Sequence, residues 1–211
     1  MTPVLIGLLV LVMGWFAFGT IYNIRKGEST LRWMQGGLPL MGERTTVRWL
    51  GSTAVEMNMV KAKPPFESAG LVIFMEPRDV PWFWGIARAQ GRRDTLIIRA
   101  QLRTSPHADF EALDRKSWSG RDALRHIESE RWTVSEPTAD EALAIYYKTE
   151  GALERANLLL KLARESGFVV RRLSLRHSEP HLQMHLALPA TLASAHDFFQ
   201  AVRELGEKAG R

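Results

Sequence analysis

The chain has 211 residues, of which 45% are hydrophobic and 24% charged, with a formal net charge of +5. That balance excludes a disordered or low-complexity chain and leaves room for one membrane segment plus a domain of ordinary size. There is no cysteine, which excludes disulfides, thiolate zinc sites, iron–sulfur clusters and a cysteine nucleophile.

From Pro3 to Tyr22 the sequence reads PVLIGLLVLVMGWFAFGTIY, a run without a charge. At about 1.5 Å per residue it matches a hydrocarbon core of roughly 30 Å, so residues 1–24 are expected to form a transmembrane helix. No Lys or Arg precedes the run, it is long for a signal core, and its small-x-small triplet, Ala17 to Gly19, lies inside it; an uncleaved anchor is therefore expected rather than a secretory signal. Trp15 and Tyr22 fall where amphipathic rings favour the headgroup level, and Arg25 and Lys26 close the segment. With no charge ahead of the helix and Arg25, Lys26, Arg32, Arg44 and Arg48 behind it, the positive-inside rule predicts an inner-membrane protein with its N-terminus outside and its domain in the cytoplasm. Residues 25–44 read as an amphipathic juxtamembrane linker broken by Gly36-Gly37 and Pro39, with Trp33 at the membrane surface.

From Thr45 the pattern is β-like. TTVRWL and TAVEMNMVKA flank Gly51-Ser52 as a hairpin, and LVIFM (71–75) and TLIIRAQLR (95–103) are apolar runs of strand length. Between the last two lies DVPWFWGIARAQGRR, a helix-length stretch, so residues 45–108 are expected to contain a hairpin and a βαβ crossover. In residues 109–211 Ser119 is expected to cap a helix through Glu128, and WTVSE (132–136) to form a short strand. Thr138 with Glu141 reads as a capping box for a long helix carrying Leu143, Tyr146, Tyr147, Leu153, Ala156, Leu160 and Ala163, ended by Gly167. Strands 168–177 and 181–189 and a last helix with Leu192, Phe199, Val202 and Leu205 complete a helix–strand–strand–helix half of a ferredoxin-like arrangement. The predicted class is α+β, one mixed-sheet domain over 45–211.

If Asp79 caps the aromatic helix, Trp82, Phe83 and Trp84 span about 200° of its surface, so one sheet cannot bury all three rings. Two fates compete: another element covers the extra ring, or the rings dip into the membrane interface while Arg88, Arg92 and Arg93 meet anionic headgroups. Charge favours the second, because residues 24–103 hold 13 Lys+Arg against 7 Asp+Glu and residues 104–211 hold 15 against 16.

Four histidines crowd the C-terminal part. In HSEPHLQMH the alternation of Leu182, Met184 and Leu186 places His181 and His185 on one strand face about 13 Å apart, so no metal site is expected. Pairing Arg176 with His181, Ser174 with Gln183 and Arg172 with His185 gives a basic face of Arg172, Arg176, His181 and His185, a candidate for an anion or acidic partner. Nucleic acid is not an expected partner, since the face lacks stacking platforms. No nucleophile elbow, P-loop or dinucleotide fingerprint occurs, and no cofactor or catalytic residue is assigned. The expected function is an accessory or scaffolding subunit of a membrane complex, its partners the lipid bilayer and other membrane-protein subunits. The alternative is a tethered enzyme or ligand sensor using the loop Glu76–Asp79 or the His/Arg face.

Overall fold

Helix α1 runs without a break from Thr2 to Met34 in the computed structural model, which describes residues 2–127, 132–137, 142–189 and 194–210. Thirty-three residues span about 50 Å, well beyond a roughly 30 Å hydrocarbon core. The first half exposes nearly every side chain; from Gly19 onward one stripe is buried, Gly19, Asn23, Gly27, Thr30 and Met34, at the four- and three-residue spacing of one helix face. The expected linker is therefore in large part helix. Its first ten residues continue α1 because they carry that stripe, and the remainder holds a turn at Gly36-Gly37, a 3₁₀ turn, Leu38–Leu40, and the start of the first strand at Gly42.

Among the described residues nine strands form one sheet: β1 (Gly42–Trp49), β2 (Ala54–Ala62), β3 (Phe66–Phe74), β4 (Thr95–Leu102), β5 (Phe110–Leu113), β6 (Thr133–Ser135), β7 (Ala144–Tyr147), β8 (Val170–Leu175) and β9 (Leu182–Ala187), in the order β1-β2-β3-β4-β9-β8-β5-β7-β6. The helices are α2 (Pro81–Ala89), α3 (Trp118–Ile127), α4 (Glu150–Glu165) and α5 (Ala195–Ala209). The α+β class and the α4–β8–β9–α5 order are as expected. The crossover is corrected: β3 and β4 are antiparallel neighbours, as is every described strand pair. Physically, α2 is nine residues, about 13 Å, too short to carry the chain back along the nine-residue β3, about 30 Å long. It sits beyond the end of a long hairpin instead.

The main core lies on one sheet face, where Leu71, Ile73, Leu96, Ile98, Leu173, Leu175, Met184 and Leu186 meet α4, α5 and the end of α1 through Met34. α3 covers part of the other face, burying Leu113, Ala123 and Ile127 beside β5 and β8. Two helix starts differ from expectation. The Thr138/Glu141 box lies outside the described residues, and Tyr146 and Tyr147 belong to β7, paired with β5; aromatic and β-branched AIYY suits a strand despite its helical spacing. α4 begins at Glu150, its cap Thr149 accepting from the Ala152 N–H at 3.3 Å. Ser117, not Ser119, caps α3, its Oγ accepting from the Gly120 N–H at 3.0 Å; the expected end at Glu128 lies outside the described residues.

The β8–β9 register matches the alternation: Arg172 faces His185, Ser174 faces Gln183, and Leu173 and Leu175 face Met184 and Leu182. A bulge between Val170 and Arg172 adds Arg171 to β8, a local insertion that re-aims its side chain.

Candidate functional site

Gly19 sets the contact between α1 and the domain. A Cβ there would collide with the Arg78 carbonyl and the Asp79 Cα, so only glycine lets the helix backbone meet the loop before α2. Around it the Trp15 indole N–H donates to the Arg78 carbonyl at 2.9 Å, Asn23 donates to the Glu76 carbonyl at 3.0 Å, and Arg78 donates to Asn23 Oδ1 at 3.2 Å. The Arg78 guanidinium also lies 5.1 Å over the Tyr22 ring. One turn on, Gly27 leaves room for the Trp49 ring.

An ion network closes the joint. Asp94 accepts a fork from Arg78 at 3.0 and 2.9 Å, Lys26 at 2.5 Å and the Glu76 N–H at 2.7 Å. Burial opposes ionisation of Asp94, but those hydrogen bonds outweigh it and hold the carboxyl below the usual carboxylate range. Glu76, 3% exposed, accepts from the Trp84 indole at 2.5 Å and from Arg88 at 3.2 and 3.1 Å. Lys26, Arg78 and Arg88 thus meet two carboxylates, and the charge is matched to within one unit.

α2 hangs from this joint. Its N-cap is Val80 without a side-chain bond and Pro81 opens the first turn; Asp79, expected to cap it, accepts instead from Ser52 at 2.9 Å, tying down the β1–β2 turn. Trp84 turns inward, its ring 6.3 Å from Trp15. Trp82, Phe83 and Ile86 remain 63%, 49% and 53% exposed. Because the loop before α2 touches Gly19 and Trp15, these side chains lie beside the last two turns of the apolar run. Together they form an exposed apolar collar on α2, the helix whose Trp84 meets Trp15 of α1. Each large ring left in water forgoes about 1.5–3 kcal/mol of burial.

The structure brings Trp15, Tyr22, Lys26, Trp84 and Arg88 together at this joint, with Trp82 and Phe83 on the collar. Arg25 is exposed on α1. Arg92 stacks 5.8 Å from the Trp118 ring, and Arg93 donates to the Arg88 and Arg92 carbonyls at 2.8 and 2.7 Å. Trp33 stands apart, packed 5.4 Å from Phe198 of α5, about 27 Å along α1 from Trp15. The hairpin face is closed. Arg172 forks onto Glu111, itself fully buried, at 2.9 and 2.7 Å, and Arg176 reaches the same carboxylate at 3.5 Å. His181 is buried, its Nδ1 accepting from the Leu102 N–H at 3.1 Å, and His185 is 4% exposed.

Sequence reasoning missed Gly19, Asn23, Arg78 and Asp94. A signal existed for the first two: small and polar residues at 19, 23, 27 and 30 repeat on one face of an otherwise apolar helix. No family model matches the chain, and no curated protein is similar to it.

Proposed function

We propose that the protein is a single-pass membrane protein whose domain is clamped against the bilayer surface and serves as an accessory or scaffolding subunit of a membrane complex. The observation that carries this is the joint at Gly19, Asn23, Lys26, Arg78 and Asp94, which makes the apolar helix and the domain one body. α1 is long and apolar enough to cross a membrane. Inside the run itself, Trp15 and Gly19 meet the loop before α2, so cleavage at the Ala17–Gly19 triplet would remove part of the joint, which supports an anchor over a signal. The collar on α2 then lies at the headgroup level, with Arg25, Arg92 and Arg93 near anionic lipid. Charge asymmetry supports a cytoplasmic domain on the inner membrane.

In the loop Glu76–Asp79 both carboxylates hold the joint together: Glu76 accepts from Trp84 and Arg88, and Asp79 from Ser52. That favours the subunit over a tethered enzyme working at this loop. Purification of the full-length protein from its native membrane in mild detergent, followed by mass spectrometry, tests the subunit role. A membrane protein in stoichiometric amount is expected; a lone monomer would contradict that role while leaving the anchor intact.

A further inference from the structure

A second basic cluster lies on the sheet face opposite the main core. The loop Gly91–Arg93 is pressed onto the start of α3: Gly91 has φ +79 and no room for a Cβ against the Lys116 carbonyl, and Arg121 donates to the Gln90 carbonyl. Between loop and helix is a pocket lined by Arg92, Arg93, Arg171, Ser117, Ser119 and His185. Ser117, Ser119 and His185 are buried, while the arginines are half-buried and Trp118 at the mouth is exposed.

Three arginines line this pocket and, among the described residues, no carboxylate does. The acids nearby are engaged elsewhere: Asp94 by Arg78 and Lys26, Glu111 by Arg172, and Asp114 by the Lys116 N–H. Cations gathered without a counter-ion repel one another, and an anion offsets that cost. Donors without acceptors line the same walls. Arg171 Nε and His185 Nδ1 are both buried with no hydrogen-bond partner. Gln183 Nε2 lies 2.6 Å from His185 Nε2; the amide donates, so the neutral ring carries its proton on Nδ1. Burial, with the fields of Arg172 and Arg99, pushes the His185 pKa down to about 3 and keeps that ring neutral. The backbone N–H groups of Trp118 and Ser119, at the positive end of α3, also make no hydrogen bond among the described residues.

We infer that this pocket binds one phosphate-class oxyanion, the phosphoryl group of a phosphomonoester or phosphodiester, held by Arg92, Arg93 and Arg171 over the N-terminus of α3. The pocket's free volume is about 20 Å³, room for one water-sized group. One oxygen enters it, the others meet the arginines, and the rest of the ligand stays outside, which excludes recognition of a base or sugar by the pocket itself. The phosphate can come from a lipid headgroup, since the pocket borders the loop that follows α2, or from a soluble compound. The inference stands on the pocket alone and does not require the membrane placement.

The test uses full-length protein in maltoside micelles, which contain no phosphate, titrated calorimetrically with inorganic phosphate. In a second arm the protein is extracted from vesicles of phosphatidylcholine and phosphatidic acid, and native mass spectrometry reads the lipid retained. Saturable phosphate binding, weakened about tenfold or more by Arg171→Gln and by Arg92→Gln as expected for a lost charge-assisted bond, assigns a soluble ligand. Phosphatidic acid retained by the native protein and lost from both variants assigns the headgroup. Binding of neither ligand, or binding that both variants keep unchanged, overturns the site. Among the described residues the Arg92 side chain makes no hydrogen bond or ion pair and lies over the Trp118 ring, so loss of binding in that variant does not reflect loss of the fold.

Discussion

Asp94→Ala is expected to lower the unfolding free energy of the full-length protein by about 3–5 kcal/mol, the usual cost of removing one partner of a buried ion pair, with Arg78 keeping the longer contact to Glu76 at 3.6 Å. The side chains of Arg78 and Asp94 are 17% and 10% exposed, so Arg78 cannot recover its lost partner from water without leaving Asn23 and the Tyr22 ring. Lys26 and the Glu76 N–H lose their acceptor in the same substitution. The measurement is denaturant unfolding in micelles. In the double variant Asp94→Leu with Arg78→Leu the loss is expected to be well below the sum of the single ones, because the charges depart together. Additive losses would mean that the pair contributes nothing to the joint. The pH dependence has a definite sign: a carboxyl held below its unfolded value stabilises above about pH 4, and that contribution disappears as pH falls through the lower folded value.

His185 predicts a separate acid window. Its pKa is about 3 in the fold against about 6.5 when unfolded, so the unfolded chain binds the extra proton between those values and stability falls as pH drops through them. The slope reaches about 1.4 kcal/mol per pH unit and the total about 4–5 kcal/mol. In His185→Gln, which cannot ionise, the decline between pH 6.5 and 4.5 is expected to vanish while the steeper loss near and below pH 4, owed to carboxylates such as Asp94, persists. Midpoints of denaturation at half-unit pH steps separate the two; an unchanged profile in His185→Gln would remove His185 as the acid-sensitive group.

What the sequence made legible follows the range of each interaction. The Pro3–Tyr22 run is local and unmistakable, and the β8–β9 register follows from alternation across a short loop. The length of α1 was hidden because Arg25 and Lys26 look like the close of the span, although the helix runs on to Met34 along the stripe of Asn23, Gly27 and Thr30 that the domain covers. Strand direction at β3 and β4 was hidden because a helix between two strands fits either sense until its length is weighed against theirs. The joint was hidden because its partners are distant: Asn23 and Arg78 are 55 residues apart and Lys26 and Asp94 are 68 apart. The same distance misled on the hairpin face. Arg172 looked free, yet β5 carries Glu111 to it from 61 residues away. The three adjacent rings did announce a divided environment: Trp84 went inward and Trp82 and Phe83 stayed out.

We propose that the collar meets lipid because α1 and the domain move as one body. Since the chain has no cysteine, Phe83→Cys and Glu67→Cys each give a unique site for a nitroxide label, the first on α2 and the second at the opposite end of β3. Power-saturation electron paramagnetic resonance in reconstituted bilayers compares access of oxygen, which concentrates in lipid, with that of a water-soluble nickel complex. The label at 83 is expected to favour oxygen and be shielded from nickel, while the label at 67 is open to nickel. Equal, water-like access at both sites would mean that the domain hangs free of the bilayer, and would contradict that contact.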